Sequence, residues 1–257
     1  MTASWDDPRI ARGMEQQLRR RRELLQSGEK PLGWKLAFGA PAALERLRIH
    51  APLVGFLLAD AVIASGSTVS LAGWTKPAAE PEIAVYMGKT LGAGPDRATT
   101  SNAIVGLGAA IEIADVDHPP EDVEGTLSRD IYQRHVVLGG CNTEHAGGKL
   151  TGLRGRVFRN NTEIANTSDF EALTGELIGI VGHVANVLSL FGEALQAGEI
   201  IIAGSITPPI WVKAGETIGF HLQPQEPISV RFAASSHAAA DIETATSSDR
   251  RRSGADL

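Results

Sequence analysis

Two hydrophobic periods alternate along this chain. Near the start, Ile10, Met14, Leu18 and Leu25 fall near one helical face, between Asp7-Pro8 and Gly28. Asp suits an N-cap, Pro a first turn and Gly a stop, so the pattern predicts a helix over 7–26. From Gly33 the texture changes to short apolar runs broken by Gly, Pro and Asn. GWKLAFG, VGFLLADAVI, PEIAVYMG, AAIEIADV, RHVVLGG and EIIIAGS predict strands, and 155–166 predicts a hairpin turning at Asn160–Asn161. GETIGFHL and ISVRFA predict the last two strands. Helices are expected near 41–48, near 96–105 and over 171–195, where Leu173, Leu177, Ile180, Val181, Val184, Val187, Leu188 and Phe191 recur at helical spacing. Residues 234–257 are Ala-, Ser- and charge-rich with few core formers and predict a disordered tail.

Composition narrows the function. A chain of 257 residues with 43% hydrophobic content can bury one large core, with at most a small appendage. The net charge of −6 argues against a nucleic-acid partner, which needs a basic face. The basic run 19–22 is interspersed with glutamates nearby and reads as a solvated helix face. Cys141 is the sole cysteine, so an intrachain disulfide and a thiolate cluster are both excluded. The charged start lacks the apolar stretch of a secretory signal and no run suits a membrane span, which makes the cytosol the expected location. Neither a strand–GxGxxG–helix nor a GxxxxGK[ST] motif supports nucleotide binding.

The chemistry concentrates in three places. Glu80-Pro81-Glu82 enters the apolar run Ile83-Ala84-Val85. Strand residues alternate faces, so both carboxylates point the same way and repel unless a cation or proton lies between them. Pro81 lacks an N–H, which predicts a strand start or edge. Glu112 sits inside AAIEIA, where a lone buried charge is too unfavourable to stand unpaired. Three carboxylates without thiolates or paired histidines describe a hard, oxygen-only site suited to Mg²⁺ or Mn²⁺, although each glutamate alone also fits a solvated strand face or an ordinary ion pair. The third place is Lys35, between Trp34 and Leu36, where desolvation can lower the lysine pKa toward neutrality. Snorkelling to solvent is the competing expectation. His183 reads as a core histidine, His118 before Pro-Pro as a loop residue, and Cys141 as unremarkable.

The ordered set GWKLAFG (33–39), PLVGFLLADAVIASGSTV (52–69), AEPEIAVYMGKTLG (79–92), AAIEIADV (109–116), HVVLGG (135–140) and LQAGEIIIAGSITPPIWVKAGETI (195–218) resembles the 2-keto-4-pentenoate hydratase/4-oxalocrotonate decarboxylase branch of the fumarylacetoacetate hydrolase superfamily. The resemblance spans about 33–232. It implies a mixed α/β fold on a rolled, largely antiparallel β-structure. The parts expected are an N-terminal helix and small α/β portion over 1–65, a catalytic β-roll over 66–233 and the tail. It implies Mg²⁺ or Mn²⁺ on Glu80, Glu82 and Glu112, proton transfer by Lys35, and Gly204-Ser205 near the substrate carboxylate.

Two segments depart from the branch. Where it has Pro-Asp-aromatic-Gly, this chain has Pro52-Leu53-Val54-Gly55, so Leu53 takes the place of the acid expected beside the lysine and becomes a candidate pocket residue. Where it has Asp-Asn-Ala-Ser, this chain reads RDIYQRH over 129–135, with Asp130 as a loose match. The implied reaction is hydration of a 2-hydroxy-2,4-dienoate through an enolate. Decarboxylation of a vinylogous 3-oxo acid is the alternative, with Leu53 in its favour. C–C hydrolysis of a 1,3-diketo acid would use His50 and Glu45 as a water-activating pair. A non-catalytic subunit or 2-oxo-acid-binding protein is the remaining reading. The resemblance further implies a homo-oligomer, or a complex with a related hydratase or decarboxylase, acting on a small 2-oxo acid.

Overall fold

The computed structural model describes residues 7–234. The chain enters through α1 (Pro8–Gln26), whose first turn is capped by Asp7 accepting from the Arg9 N–H at 2.9 Å. There follow β1 (Pro31–Ala37), α2 (Pro41–Leu47), β2 (Leu53–Leu58), β3 (Val62–Ile63), β4 (Thr68–Ser70), β5 (Pro77–Met87), α3 (Arg97–Ala103), β6 (Ile104–Asp115), α4 (Val123–Ser128) and β7 (Gln133–Leu138). The second half holds the hairpin β8 (Arg154–Arg159) and β9 (Thr162–Thr167), then α5 (Leu177–Leu190), β10 (Ile200–Gly204), β11 (Ile210–Trp211), β12 (Thr217–Gln223) and β13 (Ile228–Ala233).

The strands form two sheets. One has the order β2-β1-β10-β5-β6-β7-β3, with β11 joining β5 beyond the end of β10. The other runs β4-β13-β12-β8-β9. Most neighbours are antiparallel; β1 with β10, β3 with β7 and β4 with β13 are parallel. This is the mixed α/β, largely antiparallel architecture expected. Parallel neighbours cannot be joined by a tight turn, and the β1–β10 pair accordingly joins residues far apart in sequence.

On β5 and β6 the two faces differ. Ile83, Val85, Met87, Ile111 and Ile113 are buried in the main core. The opposite face of the same strands carries Glu80, Glu82 and Glu112, with a small apolar cluster of Leu57, Ala84, Ala110, Val136 and Ile202 beside them. Alternation therefore delivers every carboxylate of interest to one side of the sheet.

The three strands β1 to β3, from the first 65 residues, lie in the same sheet as β5 and β6. Other expectations need correction. The long helix begins at Leu177 rather than 171, because Gly175 takes a positive φ of 91° and turns the chain. Arg21 is not solvated: it lies over the Trp34 ring and pairs with Glu199 at 3.4 Å in a buried contact. Of the expected tail, residues 235–257 lie outside the described residues.

Candidate metal centre and pocket

The site begins with a break in strand pairing. Next to β5, β10 ends opposite Glu82 and β11 begins opposite Ala79, leaving the loop 205–209 between them. Pro81 faces this gap. Its carbonyl accepts from the Ile206 N–H at 3.0 Å and from the Ser205 hydroxyl at 3.1 Å. A strand residue points its N and C=O to the same side, so the N–H that proline lacks would also have faced the gap. Pro81 thus lies inside an eleven-residue strand, not at its start or edge; the irregularity belongs to the neighbours.

Register places Glu80 directly opposite Glu112 and Glu82 opposite Ala110. One carboxylate oxygen from each of Glu80, Glu82 and Glu112 lies within 4.8 Å of the others. Glu82 and Glu112 are each 1% exposed. Burial first, and then repulsion from Glu112, push the Glu80 carboxyl up to about 7. The same causes, with Glu80 added, push Glu82 well above the usual carboxylate range. Buried Glu82 Oε2 has no hydrogen-bond partner. Gly204 is the cradle: a Cβ there would stand 2.4 Å from Glu82 Cγ. An orphaned buried oxygen, three crowded carboxylates and an all-oxygen donor set fit a hard divalent cation.

Lys35 projects from β1, whose register partners at that position are Ile202 on β10 and Gly55 on β2. It is 1% exposed, ion-pairs with Glu112 and donates to the Ile131 carbonyl at 2.9 Å. Burial opposes its charge, but Glu112 and then Asp130 and Glu80 outweigh it and raise its pKa. The expected lowering is therefore reversed: the ion pair with Glu112, above all, outweighs the burial.

Sequence reasoning assigned no role to Asp130. It follows α4 on a stretch where Asp130, Ile131 and Tyr132 have φ of 62°, 48° and 64°. That backbone brings its carboxylate against Gly55, where an added Cβ would meet Lys35 Cγ at 2.9 Å and Asp130 Oδ1 at 3.0 Å. Asp130 also accepts from the Phe56 N–H at 2.8 Å, and burial pushes its pKa up to about 8 against the pull of Lys35. The acid beside the lysine, which the change to Leu53 had removed, is supplied from another segment.

A cavity of about 640 Å³ opens over the carboxylates. Glu80, Glu82, Gly204 and Ser205 line it, with Phe38 and Arg46 from the α2 side and Thr207 and Trp211 from the other. Lys35 and Glu112 lie beneath this lining. Leu53 does not line it; it is buried beside Ile10, Met14, Leu127 and His183. Glu45 and His50 are exposed and line none of it, so they form no water-activating pair there. His183 Nε2 meets the Pro52 carbonyl at 2.9 Å, and His118 lies against Asp117 and Tyr132.

Fold and site together define a β-roll protein with a carboxylate trio at a gap in its sheet. The model for the fumarylacetoacetate (FAA) hydrolase C-terminal family matches residues 37–232, and the chain belongs to that family. Among relatives, 2-hydroxyhexa-2,4-dienoate hydratase of Comamonas testosteroni is 28% identical over 211 residues, covering 80% of each chain. The 4-oxalocrotonate decarboxylase of Pseudomonas putida is 28% identical over 233 residues, covering 84% of this chain and 82% of the relative. A solved 4-oxalocrotonate decarboxylase from Pseudomonas putida G7, complexed with magnesium and adipate, superposes with a TM-score of 0.77 at 24% identity, over 87% of this chain and 86% of that one.

Proposed function

We propose that this chain is a Mg²⁺- or Mn²⁺-dependent hydratase of 2-hydroxy-2,4-dienoic acids. The observation that carries the reading is the convergence of Glu80, Glu82 and Glu112 beneath a pocket, with an orphan oxygen on Glu82. The hydratases and decarboxylases among its relatives support it.

Bound there, a divalent cation supplies Lewis-acid polarisation of the 2-oxo group and positive charge opposite a developing enolate. Glu80, Glu82 and Glu112 would hold it. Gly204 and Ser205 lie beside them for the substrate carboxylate, and the Ser205 hydroxyl, bound to the Pro81 carbonyl, also keeps the loop in place. Lys35 is assigned the proton that moves between dienol and keto forms, fixed by the Ile131 carbonyl. Asp130, with its pKa near 8, stands behind Lys35 as a second proton carrier. Leu53 lies outside the cavity, so the support it gave to decarboxylation falls away. The same reading keeps the cytosol as the place of work and self-association as the expected assembly.

The test is Glu82→Gln, assayed with Mg²⁺ or Mn²⁺ against 2-hydroxypenta-2,4-dienoate. Loss of activity by at least about a hundred-fold, with the circular dichroism spectrum retained, is expected, because a neutral amide replaces an anionic ligand. Full activity in that variant removes the proposal.

A further inference from the structure

Resting on that reading, we propose that Lys76 makes this pocket selective for 2-oxo acids carrying a second carboxylate at the far end, one retained through the reaction.

Two tracks run side by side along the cavity. On β5 the residues facing it are Glu82, Glu80 and Ala78, with Lys76 just ahead of the strand. Opposite them, Gly204, Ser205, Thr207, Pro209 and Trp211 run the other way. The carboxylate trio marks one end. Lys76 marks the other, its ammonium 4.0 Å from the Trp211 ring centroid. Ala78 and its register partner Ala114 line the floor between, both small, leaving width for a substrate chain.

Lys76 is held in place and left unneutralised. Asp115, 2% exposed, fixes its backbone by accepting from the Lys76 N–H at 2.7 Å and the Thr75 N–H at 2.9 Å. The other cation lining the pocket, Arg46, pairs with Glu121 at 3.5 Å. Among the described residues Lys76 enters no ion pair, and Trp211 gives its ammonium only a π-face. An aromatic face orients an ammonium without cancelling its charge. Trp211, whose ring carries the ammonium, is the register partner of Ala78, two strand residues from Glu80. At about 3.3 Å per strand residue, that leaves roughly 7 Å along β5 to Glu80. A short extended dicarboxylate bridges such a gap. Thr207 adds a buried hydroxyl oxygen without a partner, midway along the opposite track.

The same pairing bears on which reaction follows. A carboxylate gripped by an ammonium is stabilised as the anion, which opposes its departure as neutral CO₂. Lys76 therefore favours hydration with both carboxylates kept.

Calorimetric titration in saturating Mn²⁺ tests this with unreactive ligands: 2-oxoadipate and 2-oxopimelate against 2-oxohexanoate and 2-oxoheptanoate. The wild-type protein is expected to bind each dicarboxylate at least about ten-fold more tightly than its methyl-ended counterpart, the scale of one charge-assisted hydrogen bond. Lys76→Met should collapse that ratio to near one, and Lys76→Arg should keep it. Equal wild-type affinities, or a ratio that survives Lys76→Met, overturn the inference. Pyruvate separates the two failures. If pyruvate binds with Mn²⁺ but the dicarboxylate preference is missing, this inference alone falls; if pyruvate does not bind, the metal-centre reading falls with it.

Discussion

Glu82 and Gly204 act as one unit. The carboxylate can lie where it does only because the residue opposite it on β10 has no side chain. Gly204→Ala would place a methyl on Glu82 Cγ and displace the ligand while leaving the core strands paired. Mn²⁺ affinity should fall by at least about ten-fold, read by calorimetry, a loss typical of disturbing a ligand's support. Asp130 gives a different test. Its folded pKa, about 8, lies above the ordinary 3.8, so between those values the folded chain keeps a proton that the unfolded chain has released. Stability therefore falls as pH rises through that window and levels off above it. In Asp130→Asn this slope should shrink, raising stability at pH 8.5 relative to pH 4.5 by about 2–5 kcal/mol against wild type, measured by urea denaturation. That Glu80 and Glu82 share a face was legible because strand alternation fixes it; Glu112 joins them only through the β5–β6 register, and in the sequence it was the resemblance that tied it to the pair. Asp130 surfaced only as a loose match to a family segment, because its position depends on three successive left-handed residues that no local pattern announces.

At the scale of elements, α1 and β1 are joined by a buried knot. Trp34 Nε1 donates to Glu199 Oε2 at 2.9 Å, the Gln196 N–H donates to the same oxygen at 2.8 Å, and Arg21 meets the other oxygen. Trp34 and Lys35 are neighbours on one strand, with the knot on one face and the site on the other. Glu199→Ala leaves the indole N–H without its acceptor and Arg21 with only its 3.8 Å contact to Glu193, and should destabilise the fold by about 3 kcal/mol in chemical denaturation. The hairpin β8–β9 turns at Asn160–Asn161, both at positive φ, as two asparagines between alternating strands suggest. Element ends were less legible. The helix expected over 171–195 loses its first turn to Gly175, and the displaced Leu173 and Thr174 line the pocket instead. Helix α4 has only six residues, too few to show a period, and was missed.

At the scale of the whole molecule, the proposed metal centre would tie cation binding to stability. A ligand that binds only the folded chain stabilises it by about 2.7 kcal/mol at a hundred times its dissociation constant. Mn²⁺ should therefore raise the midpoint of thermal unfolding, a chelator should reverse the rise, and Glu82→Gln should abolish it. No helix among the described residues is long and apolar enough to cross a membrane. The order of the larger sheet was not legible in the sequence, because its central pairings join segments that share no local pattern.

The parallel register of β1 on β10, with Lys35 beside Ile202, has a consequence for how the chain is made. Lys35 emerges early from a ribosome, yet the strand beside it and the glycine under Glu82 emerge more than a hundred and sixty residues later. On the proposed reading, ion coordination would have to wait for that late arrival, and such distant closures are slow steps in folding. A nascent chain halted before β10 should bind no Mn²⁺, however much of its hairpin and N-terminal helix has already formed.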